Sequence, residues 1–394
     1  LAGLSLRRLQ DQQVSQRRVL ARVDFNVPFK QGRVLDDGRI RSVLPTLKYL
    51  LEKNAAVALI SHLGRPKGVD DSLRMKPVAE RLSQLLGRPV HALPDCIGPS
   101  VRQSVERMKP GEVLLLENLR FHPQETKNDP AFAHALAEPF ELFVQDAFGS
   151  VHRAHASTHA IAQCLPSCAG MLVQAEVESL NRLVDQPLHP FVAVIGGKKA
   201  EEKVGGLFGL LDRVDQFLIG GGVGNTFLAG KPVALGTSFY DADWVQEARR
   251  FMQEAYQRGA AVILPTDVQL TQALTSQPEA VIAPSHKIPD GWMAVDIGPQ
   301  TAKEFKARIR TAKTLFWAGP LGAFEYPPFD KGTVEVAKAV ADSGAFAVVG
   351  GGETAAAYAQ AKVRGDNVFI STGGGASLEF VSGMSLPGLE VLRA

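Results

Sequence analysis

Cysteine is scarce in this chain: Cys96, Cys164 and Cys168 are the only three among 394 residues. An odd, sparse set excludes a disulfide-stapled scaffold and fits a reducing compartment. Long hydrophobic runs are missing as well, since no apolar stretch reaches the roughly 18 residues that a membrane-spanning helix needs. Excess charge of one sign is also lacking. The 43 basic and 41 acidic residues leave a formal net charge of +2, which excludes a protein that coats a polyanion. The stretch LAGLSLRRLQDQQ has neither an apolar core nor a small-residue cleavage pattern. No secretion signal is read there, and a cytoplasmic location is expected. No GxxxxGK[ST] string occurs, which excludes a P-loop enzyme, and no complete dinucleotide fingerprint follows the first predicted strand. The string DAFG at 146–149 has no HRD-type loop beside it, so it does not mark a protein kinase.

What is present is an ordinary globular composition, 45% apolar and 21% charged. At roughly 100–200 residues per domain, the length suggests two or three domains. The two parts of the chain differ. Residues 1–170 carry 23 Lys and Arg against 17 Asp and Glu, with seven of the nine His. Glycine runs the other way, with 10 in residues 1–186 and 27 in 187–394. Two domains with different ligands are expected.

Short, nearly continuous apolar runs alternate with amphipathic segments. Strands are predicted over 19–27, 55–61, 113–119 and 142–148, then over 191–197, 217–222, 260–268, 314–320, 345–352 and 368–375. Continuous hydrophobicity is the mark of strands buried on both faces of a parallel sheet. Between them, IRSVLPTLKYLLEK, KPVAERLSQLLG, WVQEARRFMQEAYQRG and TVEVAKAVADSG repeat apolar residues at helical spacing. The fold class is therefore α/β, with doubly wound, Rossmann-like parallel sheets. Residues 175–186 read as a helix that PLHP at 187–190 breaks, a candidate inter-domain connection.

In such folds ligands sit at the carboxyl ends of the strands. In the second half, five predicted strands run into GGKKAEEK (196–203), GGGVGN (220–225), AGPLGAFE (318–325), GGGET (350–354) and TGGGAS (372–377). Glycine lets backbone N–H groups approach phosphate, and a helix N-terminus favours an anion. One such turn is only a cap, whereas five on one sheet edge point to a nucleotide. The lysines of KKAEEK, following a double glycine, read as phosphate-facing. In the first half the strand ends carry Asp24, Asn26, His62, Arg65, Arg120 and Arg153, and Arg39 opens the helix after the first strand. Several Arg with a His suit a small multi-anionic ligand, because guanidinium forks match carboxylate and phosphate. Asp24 belongs there only if it binds a hydroxyl or orients an Arg. His155, His159, Cys164 and Cys168 have spacings loosely like a zinc site. Pro166 interrupts helical geometry between the two Cys, and such spacings arise freely in amphipathic helices, so no zinc is expected.

Taken together these strings resemble the phosphoglycerate kinase family. RVDFNVP, SHLGRP, ENLRF, DAFG-x-x-HRAHAST, the GG-x-K-x-x-x-K turn, GGG-x-x-NTF, GP-x-G-x-FE, GGG-[DE]-T and STGGGA-x-LE occur in the family's order from about residue 18 onward. The resemblance implies two doubly wound domains joined by a long helix and hinge. It places a 3-phosphoglycerate domain at 1–174, an inter-domain helix at 175–186, a nucleotide domain at 187–375 and a tail at 376–394 returning to the first domain. It implies reversible phosphoryl transfer between 1,3-bisphosphoglycerate and ADP, giving 3-phosphoglycerate and ATP, with hinge-bending closure. Mg²⁺ bound with the nucleotide is implied. A monomer with no nucleic-acid or membrane partner is expected. Carried over by motif, Asp24, Phe25, Asn26, Arg39, His62, Leu63, Gly64, Arg65, Arg120 and Arg153 form the phosphoglycerate site. Gly196, Gly197, Lys199, Lys203, Gly220, Gly221, Pro320, Glu325, Gly350, Gly351, Gly352, Glu353 and Thr354 form the nucleotide site. Arg39 and Lys203 are the catalytic pair, Glu325 holds the ribose, and Glu353 meets the metal.

Three positions depart from the family pattern. Glu353 stands where Asp is usual, Ala318 replaces an Asn before the GP turn, and Lys198 adds a charge where a small residue is common. Two other classes compete with this reading. A dehydrogenase needs the nicotinamide fingerprint that is missing, and an inert relative of the kinase would lack Arg39 or Lys203, both of which are present.

Overall fold

The computed structural model describes residues 3–30 and 32–394, and it divides into two compact units. One comprises Gly3–Glu178 with Ser385–Ala394, the other Ser179–Met384.

The first unit is built on a six-stranded parallel sheet. Its strand order is His91–Ala92, Val113–Leu115, Ala56–Ile60, Arg18–Val23, Leu142–Asp146, Ser167–Ala169. The central strands are apolar on both faces because both faces are covered. Val19, Ala21 and Val23 join one core with Leu47, Leu50, Val78 and Leu82. Leu20, between them, joins the opposite core with Val101, Val105, Phe132 and Leu136. Each fully buried Leu or Val contributes about 1.5–3 kcal/mol over an exposed one, so these strands cannot slip by one residue without loss.

The helix predicted over 40–53 is two helices, Gly38–Ser42 and Leu44–Glu52, with Pro45 in the first turn of the second. Pro is tolerated there because the first-turn N–H has no helical partner. The short break at Val43 leaves Arg39 on its own five-residue turn.

The second unit holds another six-stranded parallel sheet, in the order Ala261–Ile263, Gln216–Ile219, Phe191–Ile195, Thr314–Ala318, Phe346–Gly350, Val368–Ser371. The run 260–268, predicted as one strand, is divided. Ala261–Ile263 is the edge of the parallel sheet, whereas Asp267–Thr271 centres an antiparallel sheet with Val281–Pro284 and Met293–Ile297. Pro265 lies at the division, where a missing N–H cannot serve a ladder.

The connecting helix spans Met171–Val184, four residues earlier at its start than 175–186 and two earlier at its end. Its first turn is capped from the sheet: the N–H groups of Leu172 and Val173 donate to Asp146 Oδ1 at 3.0 and 3.2 Å. A Cβ on Gly170 would fall 2.2 Å from that oxygen, so only Gly lets the chain turn there. The division between units lies inside this helix, after Glu178.

The chain rejoins the first unit at Ser385, not at 376. Helix Gly375–Val381 stays with the second unit, where Ser382 Oγ donates to Gly206 C=O at 2.6 Å. Residues beyond Ser385 pair with the beginning of the described chain. Arg7 donates to the carbonyls of Arg393 and Val391, each at 2.6 Å, and Ala394 N–H donates to Ser5 C=O at 3.0 Å. Leu386, Leu389 and Leu392 are fully buried.

Candidate functional site

Two sites emerge, one in each unit, and both lie at carboxyl ends of parallel strands. In the first unit, strand Arg18–Val23 delivers Asp24 and strand Ala56–Ile60 delivers His62. Asp24 Oδ2 accepts from Arg39 Nη1 at 2.5 Å, and Oδ1 accepts the Asn26 N–H at 3.0 Å. Burial opposes ionisation of Asp24, but Arg39 and its neighbours outweigh it and hold the carboxyl at about 2. Asn26 Oδ1 accepts the Gly64 N–H at 2.8 Å, and Arg120 Nη1 donates to the Gly64 carbonyl at 2.9 Å. The structure therefore joins Asp24, Asn26, Arg39, Gly64 and Arg120 in one hydrogen-bonded patch. Asp24 serves there to orient an arginine.

Arg65 and Arg153 are exposed at the same edge. Their charges, with that of Arg22, add to burial in lowering the Arg120 pKa, so the guanidiniums share one positive field. Phe25 and Leu63 take a different part. Both side chains are buried in the core, and their N–H groups are held by Ser61 Oγ at 2.8 Å and Asn118 Oδ1 at 3.1 Å. The carbonyls of both are engaged by Val27 N–H and Asn118 Nδ2. What they supply is the placement of their neighbours.

The sequence reading assigned no role to Arg22, which opens the RVDFNVP string two residues before Asp24 and is fully buried. Its Nε donates to Ser157 Oγ at 2.9 Å, Nη1 donates to the Val23 carbonyl, and Nη2 lies 3.0 Å from His62 Nδ1. Ser157 in turn donates from Oγ and N to the two oxygens of Glu125, at 2.6 and 3.0 Å. An arginine has no acceptor, so His62 must accept at Nδ1 and carry its proton on Nε2. Burial lowers the His62 pKa to about 3 against the pull of Asp24, so the ring is a neutral donor. His152 and His155 are likewise lowered to about 4, mainly by burial and then by the surrounding arginines. An unpaired charged residue inside an apolar strand was the available sequence signal for Arg22. His152 and His155 flank Arg153 in the HRAH string.

The remaining motif residues are dispersed. His159 Nδ1 meets Asn128 Nδ2 at 3.1 Å, Cys164 is exposed, and Cys168 is buried in the edge strand Ser167–Ala169. Among the described residues one trio of metal-type donors comes together, Asp95, Cys96 and His122, within 4.8 Å of one another. Asp95 Oδ1 there hydrogen-bonds to His122 Nε2 at 2.8 Å and accepts the Cys96 N–H at 2.7 Å. Burial pushes the Cys96 thiol well up, so the trio is held by its own hydrogen bonds.

In the second unit the five glycine turns follow strands of one sheet. They are stacked backbone to backbone. A Cβ on Gly196 would lie 2.2 Å from the Pro320 carbonyl, and Gly197 N–H donates to that carbonyl at 2.7 Å. Gly319 has φ +96 and faces Gly196 so closely that a side chain on either would part the turns. Thr354 is buried and bridges two turns, accepting Gly319 N–H and donating to the Gly350 carbonyl, both at 2.7 Å. Ala318, at its strand end, holds the turns through its carbonyl, which accepts Gly196 N–H at 2.9 Å.

Beside these turns opens a cavity of about 550 Å³. Of the predicted residues, Gly197, Gly221, Pro320, Glu325 and Glu353 line it, with Lys198 of the KKAEEK string, and Phe239 and Tyr326 join them unforeseen. Gly220, Gly350, Gly351 and Gly352 belong to the supporting turns, and helices Gly221–Ala229 and Gly352–Gln360 begin at the cavity. Lys199 is exposed. Lys203 runs beneath Gly197, with Cε 3.9 Å from where a Cβ would be. Burial lowers its pKa, opposed by Glu202 and Glu353. Asp296 forms a buried floor, accepting from Gln269 Nε2, Gly332 N–H and Ile297 N–H at 2.8–3.0 Å.

Comparison with known proteins gives a consistent result. The family model described as phosphoglycerate kinase matches residues 9–384. The phosphoglycerate kinase of Moorella thermoacetica is 49% identical over 385 residues, covering 98% of both chains. That of Rubrobacter xylanophilus is 49% identical over 387 residues, again covering 98% of each. Among solved structures, phosphoglycerate kinase from Pyrococcus horikoshii aligns with a TM-score of 0.89 at 33% identity, over 98% of each chain. The enzyme from Coxiella burnetii aligns at 0.84 and 36% identity, over 98% of this chain and 99% of its own.

Proposed function

The chain belongs to the phosphoglycerate kinase family, and from that premise we propose how its two sites divide the work. The activity is phosphoryl transfer to a carboxyl group, reversibly linking 1,3-bisphosphoglycerate and ADP to 3-phosphoglycerate and ATP. The first unit holds the phosphoglycerate. Arg65, Arg120 and Arg153 neutralise its anionic groups, while neutral His62 donates from Nε2 without adding charge. The observation that carries this is the density of guanidinium at one strand edge, where Arg22, Arg39, Arg65, Arg120 and Arg153 outnumber the nearby carboxylates, Asp24 and Glu125. Such a field needs a ligand with several negative charges.

The second unit holds the nucleotide, with phosphates over the glycine turns and helix N-termini and the ribose at Glu325. Glu353 fits Mg²⁺. Its carboxylate is exposed at the cavity edge, and no cation among the described residues lies within 4.0 Å of it, Lys203 acting on it only from farther off. Mg²⁺ keeps most of its waters and asks for one or two carboxylates beside substrate phosphates. When bound, the ion neutralises phosphate charge. Arg39 and Lys203 neutralise the equatorial oxygens of the transferring group, and little else is asked of the protein in phosphoryl transfer. The acceptor carboxylate is already ionised near neutral pH, so no general base is required. Lys203, partly desolvated, gives a stronger field at the phosphate than a solvated lysine does.

Direct transfer needs the reacting atoms about 3–3.5 Å apart, and the acyl phosphate must be kept from water. Both ligands together, each held by a different unit, therefore favour a closed arrangement of the units. A coupled assay with 3-phosphoglycerate and MgATP tests the reading. Turnover that depends on both substrates is expected, and its absence in folded protein refutes it.

A further inference from the structure

Lys198 is a cation at the nucleotide cavity that stands outside the site residues assigned above, although its string reads as phosphate-facing. It follows the Gly196–Gly197 turn, is exposed, and lines the cavity. Among the described residues no carboxylate stands within 4.0 Å of it. Its Nζ instead rests 5.1 Å from the centre of the Phe239 ring, on the same cavity wall. That ring is 42% exposed.

The backbone of Lys198 is fixed. A Cβ on Gly222 would lie 2.2 Å from the Lys198 carbonyl oxygen, so the residue is pressed against the first turn of helix Gly221–Ala229. Its freedom is in its side chain, four methylenes ending in a point charge. Rotation about those bonds can move Nζ off the Phe239 ring while the backbone stays in place. The other charged groups lining the cavity are Glu325, Glu353 and the buried Asp296, all acidic. The strand end at Ala318 offers no side-chain donor. A polyphosphate entering among carboxylates meets one cation on the cavity lining, Lys198.

We propose that Lys198 is a phosphate-binding residue of this chain. It is parked on Phe239 when the cavity is free and transferred to the diphosphate or triphosphate of the nucleotide on binding. Phe239 is its competitor. An exposed cation–π contact is weak beside a charge-assisted contact to phosphate, so nucleotide wins the lysine at a small cost in affinity. The inference rests on the reading of this cavity as the nucleotide site. It adds discrimination by phosphate count, since a nucleoside without phosphates gains nothing from Lys198.

Calorimetric titration of the full chain with ADP and with adenosine, at two ionic strengths, tests this. Lys198→Gln is expected to weaken ADP about fivefold, the size of one exposed charged contact, and to leave adenosine unchanged. It should also flatten the salt dependence of ADP binding. Lys198→Arg should retain most of the affinity. Phe239→Leu should tighten ADP about twofold, because the ring no longer holds the lysine. Opposite signs from two neighbouring exposed positions are not produced by general loosening of the wall, and unfolding midpoints of the variants check that. Wild-type affinity for ADP in Lys198→Gln overturns the phosphate contact. Weakening by Phe239→Leu overturns the competition. If the wild-type chain itself binds no ADP, the reading of the cavity fails, and Lys198 with it.

Discussion

Replacement of Arg39 by Ala separates transition-state stabilisation from binding. Arg39 Nη1 lies 2.5 Å from Asp24 Oδ2, with 32% of the arginine side chain and 9% of the aspartate exposed. Two losses follow. The first is one positive charge at the transferring group. By comparison with removal of one oxyanion donor, it costs about 10²–10³ in kcat, or roughly 3–4 kcal/mol. KM for 3-phosphoglycerate should change much less, because Arg65, Arg120, Arg153 and His62 remain. The second loss is structural. Burial pushes the Asp24 carboxyl up, and Arg39 is the largest influence holding it down at about 2, against 3.8 in the unfolded chain. That depression contributes stability at neutral pH which is lost as pH falls through about 2. The full depression corresponds to about 2 kcal/mol, and Arg39's exposure reduces its share to about 1 kcal/mol. Steady-state kinetics in the direction of 3-phosphoglycerate and MgATP, with a urea titration alongside, reads both. Arg39→Lys should recover part of kcat, since it restores charge but not the fork. A kcat for Arg39→Ala within about threefold of wild type, in protein that binds 3-phosphoglycerate normally, removes Arg39 from catalysis.

Glu353→Gln should raise the Mg²⁺ concentration for half-maximal activity while binding of metal-free nucleotide is unchanged or tighter. An unmoved Mg²⁺ titration assigns Glu353 to its helix start alone. The Asp146 carboxyl, raised by burial from 3.8 to about 7, contributes stability that is full below about pH 4 and lost as pH rises to about 7. The span amounts to at most about 4 kcal/mol. Asp146→Asn should flatten that part of the unfolding profile, and an identical profile refutes it. Solution scattering should give a smaller radius of gyration with both substrates than with either one, and an unchanged radius in the ternary mixture rules out closure.

The central strands were legible because two covered faces demand continuous apolar runs, and the glycine turns because turns packed backbone to backbone have no room for side chains. Where the sequence misled, a local feature masked a tertiary one. AAVILPTDV at 260–268 is a single apolar run to the eye, yet Pro265 hands it from a parallel to an antiparallel sheet. The connecting helix starts at Met171 because Asp146, far away in sequence, supplies the cap. Arg22 was hidden because one charge in an apolar strand reads as an exception. Its meaning depends on Ser157 and His62 arriving from other strand ends. Lys198 was legible as an added charge, but its ring partner lies 41 positions on, beyond any local pattern.

The pairing of Ser385–Ala394 with the opening segment bears on the order in which the protein is made. On the ribosome, residues 3–178 emerge before 179–384 but cannot finish folding, because Leu386, Leu389 and Leu392 and the carbonyls that receive Arg7 are still to be synthesised. The unit made from residues 179–384 has all of its own strands in hand before that. The unit of residues 179–384 can therefore be complete while the unit that precedes it in sequence still waits for Leu386, Leu389 and Leu392. A nascent chain released short of those residues would carry a finished second unit attached to an open, aggregation-prone sheet.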